Sequence, residues 1–220
     1  MQLPRSGCFG ARLFCVRKTG LLACLRVIAG YTDRYLTPEQ YLDIESRAEF
    51  RSEYINGEMF AMSGATLNHA RVVLNTARRL TEQLDGRPRE AFGGGLRLYS
   101  AKYKFFTYPD VLVTCGSHRL LDSRRDTLTD ATVIVEVLSP STKNYDRGEK
   151  FLFYRSLPSF SAYLLLAQHE MRAEHHVRQL DNSWLFREFT GPSDEIDLKS
   201  IGCCLQLQSL YKRVEFGPEA

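Results

Sequence analysis

Runs of apolar residues divide the chain into predicted strands and helices. The continuous runs Val133–Leu138 and 163–166 are typical of strands buried on both faces of a sheet. Residues 68–84 instead carry apolar side chains at helical spacing, with Val72 and Leu80 on one stripe. Because predicted strands and helices are interleaved along the chain, the pattern indicates the α/β class, with helices around a mixed sheet.

Two short signals predict where local elements begin. Thr37 fits a helix N-cap, Pro38 the first helical position and Gln40 the partner of a capping box. Further on, Asn56-Gly57 separates two apolar-rich runs, which is the strongest short signal for a β-hairpin. The folded part of the chain is therefore expected to start just before Thr37.

Charge is unevenly distributed along the chain. Residues 1–32 hold five of the 29 basic residues and no acidic residue, so the remainder carries 24 basic and 26 acidic residues. We predict a basic extension over residues 1–34, one domain over residues 35–213 and a tail over residues 214–220. The extension is either a targeting peptide or a non-native segment from an upstream start codon. A phosphate-bearing partner would have to meet a local basic patch.

Cysteine spacing and hydropathy exclude several classes of protein. The six cysteines form no CxxC pair, and the adjacent Cys203-Cys204 is poor spacing for zinc ligands. This usage favours a reducing cytoplasm. The apolar run over residues 21–28 is short and interrupted by Arg26, so we expect neither a membrane span nor a membrane partner.

One acidic residue lies inside a predicted buried strand. Glu136 stands within the run Val133–Leu138, where an ionised carboxylate is costly unless a cation or strong donors meet it. Asp110 opens a second apolar strand, Val111–Cys115. Two strands that each deliver a carboxylate to a sheet end suit a hard divalent cation, so the pattern predicts metal-dependent chemistry. The alternatives are an aspartate that caps local amides and a glutamate paired with a buried base such as Arg147.

At these residues the chain resembles the Uma-type family of restriction-endonuclease-like proteins, a branch of the PD-(D/E)XK nuclease superfamily. The resemblance covers residues 36–211, and its most specific part is the run VEVLSPST followed by DRGEK. The matching stretches are RSEYINGEMFAMSG, TLNHARVVLN, YPDVLV, VIVEVLSPST and YDRGEKFLFYRSLPS. The resemblance implies a restriction-endonuclease-like mixed central sheet flanked by helices. It also implies Mg2+-dependent hydrolysis of DNA phosphodiester bonds.

The resemblance assigns roles to several of these residues. Asp110 and Glu136 match the motif acids, and with the backbone carbonyl of Val137 they would hold Mg2+, with Mn2+ as an alternative. Glu53 matches a family acid that would touch the metal through water, although by itself it could be a cross-strand charge partner. His69, near a helix start, is a weaker candidate for phosphate contact and could equally be an ordinary polar residue there.

The chain departs from the superfamily at the usual lysine, two residues after the glutamate, where it has Leu138. Lys150, on the predicted helix after this strand, is the preferred replacement over Lys143 in the preceding loop. Asp146 and Tyr154 lie one turn to either side of Lys150 on the same helix face. Lys150 would orient the attacking water or neutralise the developing negative charge. Alternatively, Lys150 is a solvated lysine that pairs with Asp146.

Other polar residues are expected to lie on the surface. His175-His176 are predicted to be exposed on an alternating strand, without the spacing of a zinc site. Arg119, Arg124 and Arg125 lie in a polar loop, where they are either solvated or in contact with DNA backbone phosphates.

These patterns favour an endonuclease that acts on DNA, alone or as a homodimer. The rival hypothesis is a catalytically silent protein that keeps the fold and binds nucleic acid or a protein partner. Leu138 in the lysine position supports the rival, whereas the retention of Asp110, Glu136 and Lys150 argues against it.

Overall fold

Within residues 35–217, which the computed structural model describes, strands form a six-stranded, a five-stranded and a two-stranded sheet. The predicted basic extension, residues 1–34, and the end of the predicted tail, residues 218–220, lie outside the described residues. The strands are β1 (Ser52–Ile55), β2 (Glu58–Ala61), β3 (Arg89–Gly93), β4 (Arg97–Ser100), β5 (Phe105–Thr107), β6 (Val111–Cys115), β7 (Thr127–Leu128), β8 (Val133–Leu138), β9 (Ala162–Ala167), β10 (Ala173–Arg178), β11 (Trp184–Phe189), β12 (Glu195–Leu198) and β13 (Cys203–Gln206).

Helices flank these sheets. They are α1 (Pro38–Glu45), α2 (Leu67–Leu84), α3 (Lys143–Tyr145), α4 (Phe151–Tyr154) and α5 (Leu207–Leu210), with a short 3₁₀ turn at Ala101–Tyr103. A π-helical turn, Asp146–Lys150, joins α3 to α4, so residues 143–154 form one continuous helical segment. In the described part of the chain, no helix is both long enough and apolar enough to cross a membrane.

The two large sheets are mixed. The six-stranded sheet has the order β11-β10-β9-β8-β6-β3, in which β8 and β9 run parallel and the other neighbours antiparallel. The five-stranded sheet has the order β2-β1-β5-β4-β7, in which β4 and β7 are the parallel pair. The predicted mixed α/β fold is therefore confirmed, with the strands divided between two large sheets.

Strand β8 is buried on both faces because layers pack on each side of its sheet. Its valines face an apolar cluster that includes α2, the β12–β13 hairpin and α5. Its other face packs against a second apolar cluster, which lies between the two large sheets and α4. We call this cluster the seam. Residues of the seam include Leu98, Phe105, Ile134, Leu138 and Phe153. Because side chains alternate along a strand, Glu136 points toward this seam, between Ile134 and Leu138.

Both local start signals are confirmed. The Thr37 hydroxyl accepts from Gln40 N at 3.3 Å, and the Gln40 side chain accepts from Thr37 N at 2.8 Å, which completes the capping box of α1. Asn56 and Gly57 form the β1–β2 turn with positive φ values of 43° and 108°. A Cβ atom at Gly57 would lie 2.4 Å from Tyr35 Cδ1, so glycine is required at this turn.

The predicted exposure of His175 is wrong. Strand β10 lies between β9 and β11, and the His175 side chain faces the packed side of the sheet with 3% exposure. Burial lowers the pKa of His175 to about 4, and the positive charge of Arg187 acts in the same direction. His176 is half-buried and packs against the Phe151 ring, with 4.9 Å between ring centroids.

The chain after α5 runs along α2. Val214 packs on the core, and the side-chain amide of Asn68 donates to the carbonyl of Glu215 at 2.8 Å. Arg71 and Glu215 form an ion pair at 3.3 Å. The described part of the predicted tail, residues 214–217, is thus attached to the helix that begins beside the candidate site.

Candidate active site

Strand pairing brings Asp110 and Glu136 to the same sheet end. In the β6–β8 ladder Val111 lies opposite Val135, and one further step sets Asp110 opposite Glu136. The backbone N–H of Val137 donates to Asp110 Oδ2 at 2.8 Å, which holds the aspartate against β8. The sequence prediction that two strands deliver two carboxylates to one place agrees with this geometry.

Lys150 supplies the cation of the site. Its Nζ lies 2.9 Å from Glu136 Oε1 and 3.1 Å from Glu53 Oε1, and it is buried. Asp146 Oδ1 is 3.7 Å away, one turn earlier. Lys143, by contrast, is exposed. The helical segment 143–154 therefore delivers the ammonium group that the superfamily usually places on the strand.

The π-helical turn gathers four side chains of this segment at the site. Lys150 and Asp146 lie within the turn itself. On either side of it, the hydroxyl of Tyr145 donates to Glu53 Oε2 at 2.9 Å and that of Tyr154 donates to Glu136 Oε1 at 2.6 Å. Single π turns inside helices are frequent at functional sites. Here the turn lets one short segment bond carboxylates from both large sheets.

Glu53 enters the site from the five-stranded sheet. It lies on β1, and the hydroxyl of Thr107 on the neighbouring β5 donates to Glu53 Oε1. The predicted alternative was a cross-strand charge pair, whereas the ion-pair partner of Glu53 lies on the helical segment 143–154. Glu53 is buried, and its cation is Lys150.

The electrostatics of the site are dominated by burial. Burial raises the pKa of Glu136 to about 8; the positive charge of Lys150 opposes this shift, and the nearby Asp110 carboxylate adds to it. Burial alone would lower the pKa of Lys150, but Glu136 and Glu53 outweigh it and raise that pKa well above its ordinary value. Burial also raises the pKa of Asp146. Three carboxyl groups, those of Glu136, Glu53 and Asp146, thus lie within 3.7 Å of one ammonium group.

His69 lies beside Asp110 in the first turn of α2. Its Nε2 is 3.2 Å from Asp110 Oδ2, and its backbone N–H donates to the hydroxyl of the N-cap Thr66 at 3.1 Å. Its Nδ1 is buried without a hydrogen-bond partner among residues 35–217. The structure therefore places His69 at the site, while its predicted phosphate contact stays a prediction.

Three other residues considered in the sequence analysis have partners or packing outside the candidate site. Arg147 pairs with Glu174 at 2.6 Å, so it is not the partner of Glu136. In the polar loop, Arg124 bonds Asp122 at 2.8 Å, and its predicted phosphate contact stays untested. Leu138 is buried in the seam with 5% exposure, so it contributes packing where the superfamily usually has a lysine.

Tyr145 and Thr107 were missed by sequence reasoning. Both hydroxyl groups bond Glu53. Thr107 lies outside the matching stretches, and Tyr145 opens the YDRGEK stretch without a role assigned to it. Thr107 lies opposite Glu53 in the β1–β5 pairing, in which Tyr54 faces Phe106. The sequence alone does not reveal this register, so it could not identify Thr107. Tyr145 directly precedes the DRGEK run, and the direction of its side chain depends on the π turn.

The donor set suits a hard cation with several water ligands. Among the described residues, no group of three or more His, Cys, Asp or Glu side chains is arranged to hold a metal. The residues that could do so are Asp110, Glu136 and the carbonyl of Val137. Mg2+ binds proteins through one or two carboxylates and keeps several waters, so this smaller oxygen set fits it. A zinc-type cage of nitrogen and sulfur ligands does not fit.

Comparisons with known proteins place this chain in a family. The model of the family described as "Uma2: Putative restriction endonuclease" matches residues 38–208. The chain belongs to the Uma2 family. The matched residues include both strands that carry Asp110 and Glu136 and the whole helical segment 143–154. The resemblance seen in the sequence is therefore confirmed.

Two Synechocystis sp. (strain ATCC 27184 / PCC 6803 / Kazusa) proteins are similar to this Uma2 chain. "Uncharacterized protein sll1609" is 36% identical over 166 residues, 76% of this chain and 94% of the relative. "Uncharacterized protein slr1290" is 33% identical over 183 residues, 82% and 94% of the two chains.

A solved structure shares the fold. It is a crystal structure of "a putative nuclease belonging to DUF820" from Anabaena variabilis ATCC 29413, with a TM-score of 0.66 and 17% sequence identity. The match covers 80% of this chain and 98% of that one. At this identity the likeness establishes the arrangement of helices and strands.

Proposed function

We propose that this Uma2 chain is a divalent-metal-dependent endonuclease that hydrolyses phosphodiester bonds of DNA. The observation that carries the proposal is the buried ammonium of Lys150 between Glu136 and Glu53, at the sheet end where Asp110 lies. Membership of a family described as "Putative restriction endonuclease" supports the nuclease class.

The position of each residue in the site suggests a different role in the proposed reaction. Asp110, Glu136 and the carbonyl of Val137 would hold Mg2+ or Mn2+, which when bound supplies a Lewis acid and lowers the pKa of a water molecule. Lys150 would donate hydrogen bonds to the attacking water or to a phosphate oxygen and so stabilise the developing negative charge. His69, at the partly exposed rim, would contact a phosphate.

The energetic cost of the buried ion cluster favours chemistry over a silent fold. Replacing a buried ion pair by apolar residues of similar volume is often neutral or stabilising. Lys150, Glu53 and Glu136 are nevertheless all buried together. A protein that only bound a partner through its surface would gain no stability from these buried charges. A nuclease, by contrast, requires charged groups of this kind at its active site.

Cleavage of supercoiled plasmid by the full chain tests the proposal. We expect nicking or linearisation with Mg2+ or Mn2+, none with EDTA, and none from Asp110→Ala or Glu136→Ala. Glu174→Gln, which removes a buried carboxylate paired with Arg147 outside the site, should cleave like the wild type. Absence of cleavage with every metal, with native circular dichroism and no metal binding, would favour the silent binding protein.

A further inference from the structure

Glu53 is held by more donors of the chain than either predicted metal ligand. Thr107 and Lys150 both bond its Oε1, and Tyr145 bonds its Oε2. An ionised carboxylate offers about four acceptor sites, so three of those on Glu53 are already used.

The donors of the other two acids are arranged differently. Tyr154 and Lys150 both use Oε1 of Glu136, so its Oε2 can face a further partner. Val137 N donates to Oδ2 of Asp110, which leaves its Oδ1 for another partner. The Asp110 side chain is 21% exposed, twice as much as that of Glu53. The more exposed side of the site is therefore at Asp110, whereas the Glu136 side chain is only 5% exposed.

We propose that Glu53 is a positioning residue for Lys150 and not a ligand of the metal, and that Tyr145 and Thr107 fix Glu53 for this role. The inference rests on the proposed function in one respect, that Lys150 is the cation that works on the substrate. It gives this acid a role toward Lys150, whereas the family resemblance gives it a contact with the metal through water.

The geometry explains why a second anchor is needed. A lysine ammonium sits on a flexible four-carbon stem, so a single contact does not fix its direction. Glu136 approaches Nζ from the six-stranded sheet and Glu53 from the five-stranded sheet. A metal ion bound to Glu136 would neutralise part of its negative charge and so weaken its attraction for Lys150. Glu53 is then the carboxylate that keeps the ammonium group in place.

Urea unfolding of the full chain in EDTA tests the link between the two residues without any metal. In the wild type, Glu53→Gln should raise the unfolding equilibrium constant at least tenfold, because Lys150 loses an ion-pair partner. In a Lys150→Met chain the same substitution should leave that constant unchanged or lower it, because it removes an unpaired buried charge. An equal increase in both chains would overturn the proposal.

Mn2+ binding, measured by electron paramagnetic resonance, tests whether Glu53 positions Lys150 or is a ligand of the metal. Glu53→Gln should change the Mn2+ dissociation constant by less than threefold, like the control Glu174→Gln. Asp110→Asn and Glu136→Gln should weaken binding more than tenfold. If Glu53→Gln weakens binding as much as these two, Glu53 is a ligand and the proposal fails. If the wild type binds no Mn2+, the proposed function fails, and the unfolding comparison alone decides the role of Glu53.

Tyr145→Phe provides a milder version of the same test if Glu53→Gln does not fold. It removes only the hydroxyl that bonds Glu53 Oε2. In plasmid cleavage we expect a lower kcat, by about tenfold, with the half-saturating metal concentration unchanged. A shift in the metal requirement with an unchanged kcat would contradict the positioning role.

Discussion

At the scale of single residues, the position of one positive charge is the main departure from the superfamily. Leu138 fills the usual lysine position and packs in the seam, while Lys150 reaches Glu136 from the helical segment. The proposed chemistry requires an ammonium group near the carboxylates, and it does not require that group to come from the strand. The site is therefore defined by where Nζ lies.

Lys150→Met should abolish most of the activity. Removing one donor that stabilises developing charge typically costs about 10²–10³ in kcat. The loss of Lys150 also leaves Glu136 and Glu53 unpaired, which should lower the free energy of unfolding by about 3–5 kcal/mol. Plasmid cleavage and urea unfolding measure the two effects. The exposed Lys143→Met is the matched control, and equal losses in both variants would argue against a special role for Lys150.

His175 should make stability depend on pH. Its folded pKa of about 4 lies below the ordinary 6.5, because burial, His176 and Arg187 lower it and only Asp197 opposes them. The unfolded chain therefore binds a proton first, and stability is lost as pH falls from 6.5 toward 4. The loss should reach up to about 3 kcal/mol. It should disappear in His175→Leu and persist in the exposed His169→Leu; parallel curves for all three would contradict this.

At the scale of elements, α2 connects the core to the site. Its buried stripe includes Val72 and Leu80, and its first turn carries His69 to Asp110. The N-cap Thr66 performs two tasks, since its hydroxyl accepts from His69 N and donates to Oε1 of the buried Gln168 at 2.6 Å. The start of this helix is thereby fixed to the loop that follows β9.

Thr66→Ala should therefore cost more than an ordinary helix cap. Loss of an N-cap alone costs about 1 kcal/mol, and an unpaired Gln168 acceptor adds about 1 kcal/mol more. Thr37→Ala, which removes the capping box of α1 and leaves no buried partner, is the matched comparison. Urea unfolding should show the larger loss for Thr66→Ala. Equal losses would mean that the Gln168 bond adds no stability.

The sequence predicted elements well where the signal is local and poorly where it depends on pairing. The Thr37 capping box and the Asn56-Gly57 turn need only a few neighbouring residues, and both are confirmed. The prediction for His175 was wrong because alternation along β10 does not reveal which face of the strand packs against the core. The convergence of the acids was found because both lie at apolar strands.

At the scale of the whole molecule, the site spans two sheets. Glu53 comes from the five-stranded sheet and Glu136 from the six-stranded sheet, and the helical segment 143–154 bonds both. None of these elements contains the full constellation. The polar groups are aligned only when Phe105 and the other seam residues pack the two sheets together.

Metal binding should stabilise the whole fold. An ion that binds only the folded chain adds about 2.7 kcal/mol when its concentration is 100 times its dissociation constant. We therefore expect Mg2+ or Mn2+ to raise the Tm of the wild type and EDTA to reverse the shift. Asp110→Asn should show no such shift, whereas Glu174→Gln should behave as the wild type. A shift of the same size in Asp110→Asn would place the ion elsewhere.

The seam also has a consequence for how natural variation would act on this protein. Phe105 and Phe153 touch, with 4.7 Å between ring centroids, and neither belongs to the candidate reaction. A smaller residue at either position would let the two sheets shift and separate Glu53 from Lys150. A genetic screen for lost activity would then recover these aromatic positions beside the charged ones. Selection for packing and selection for chemistry fall on the same interface.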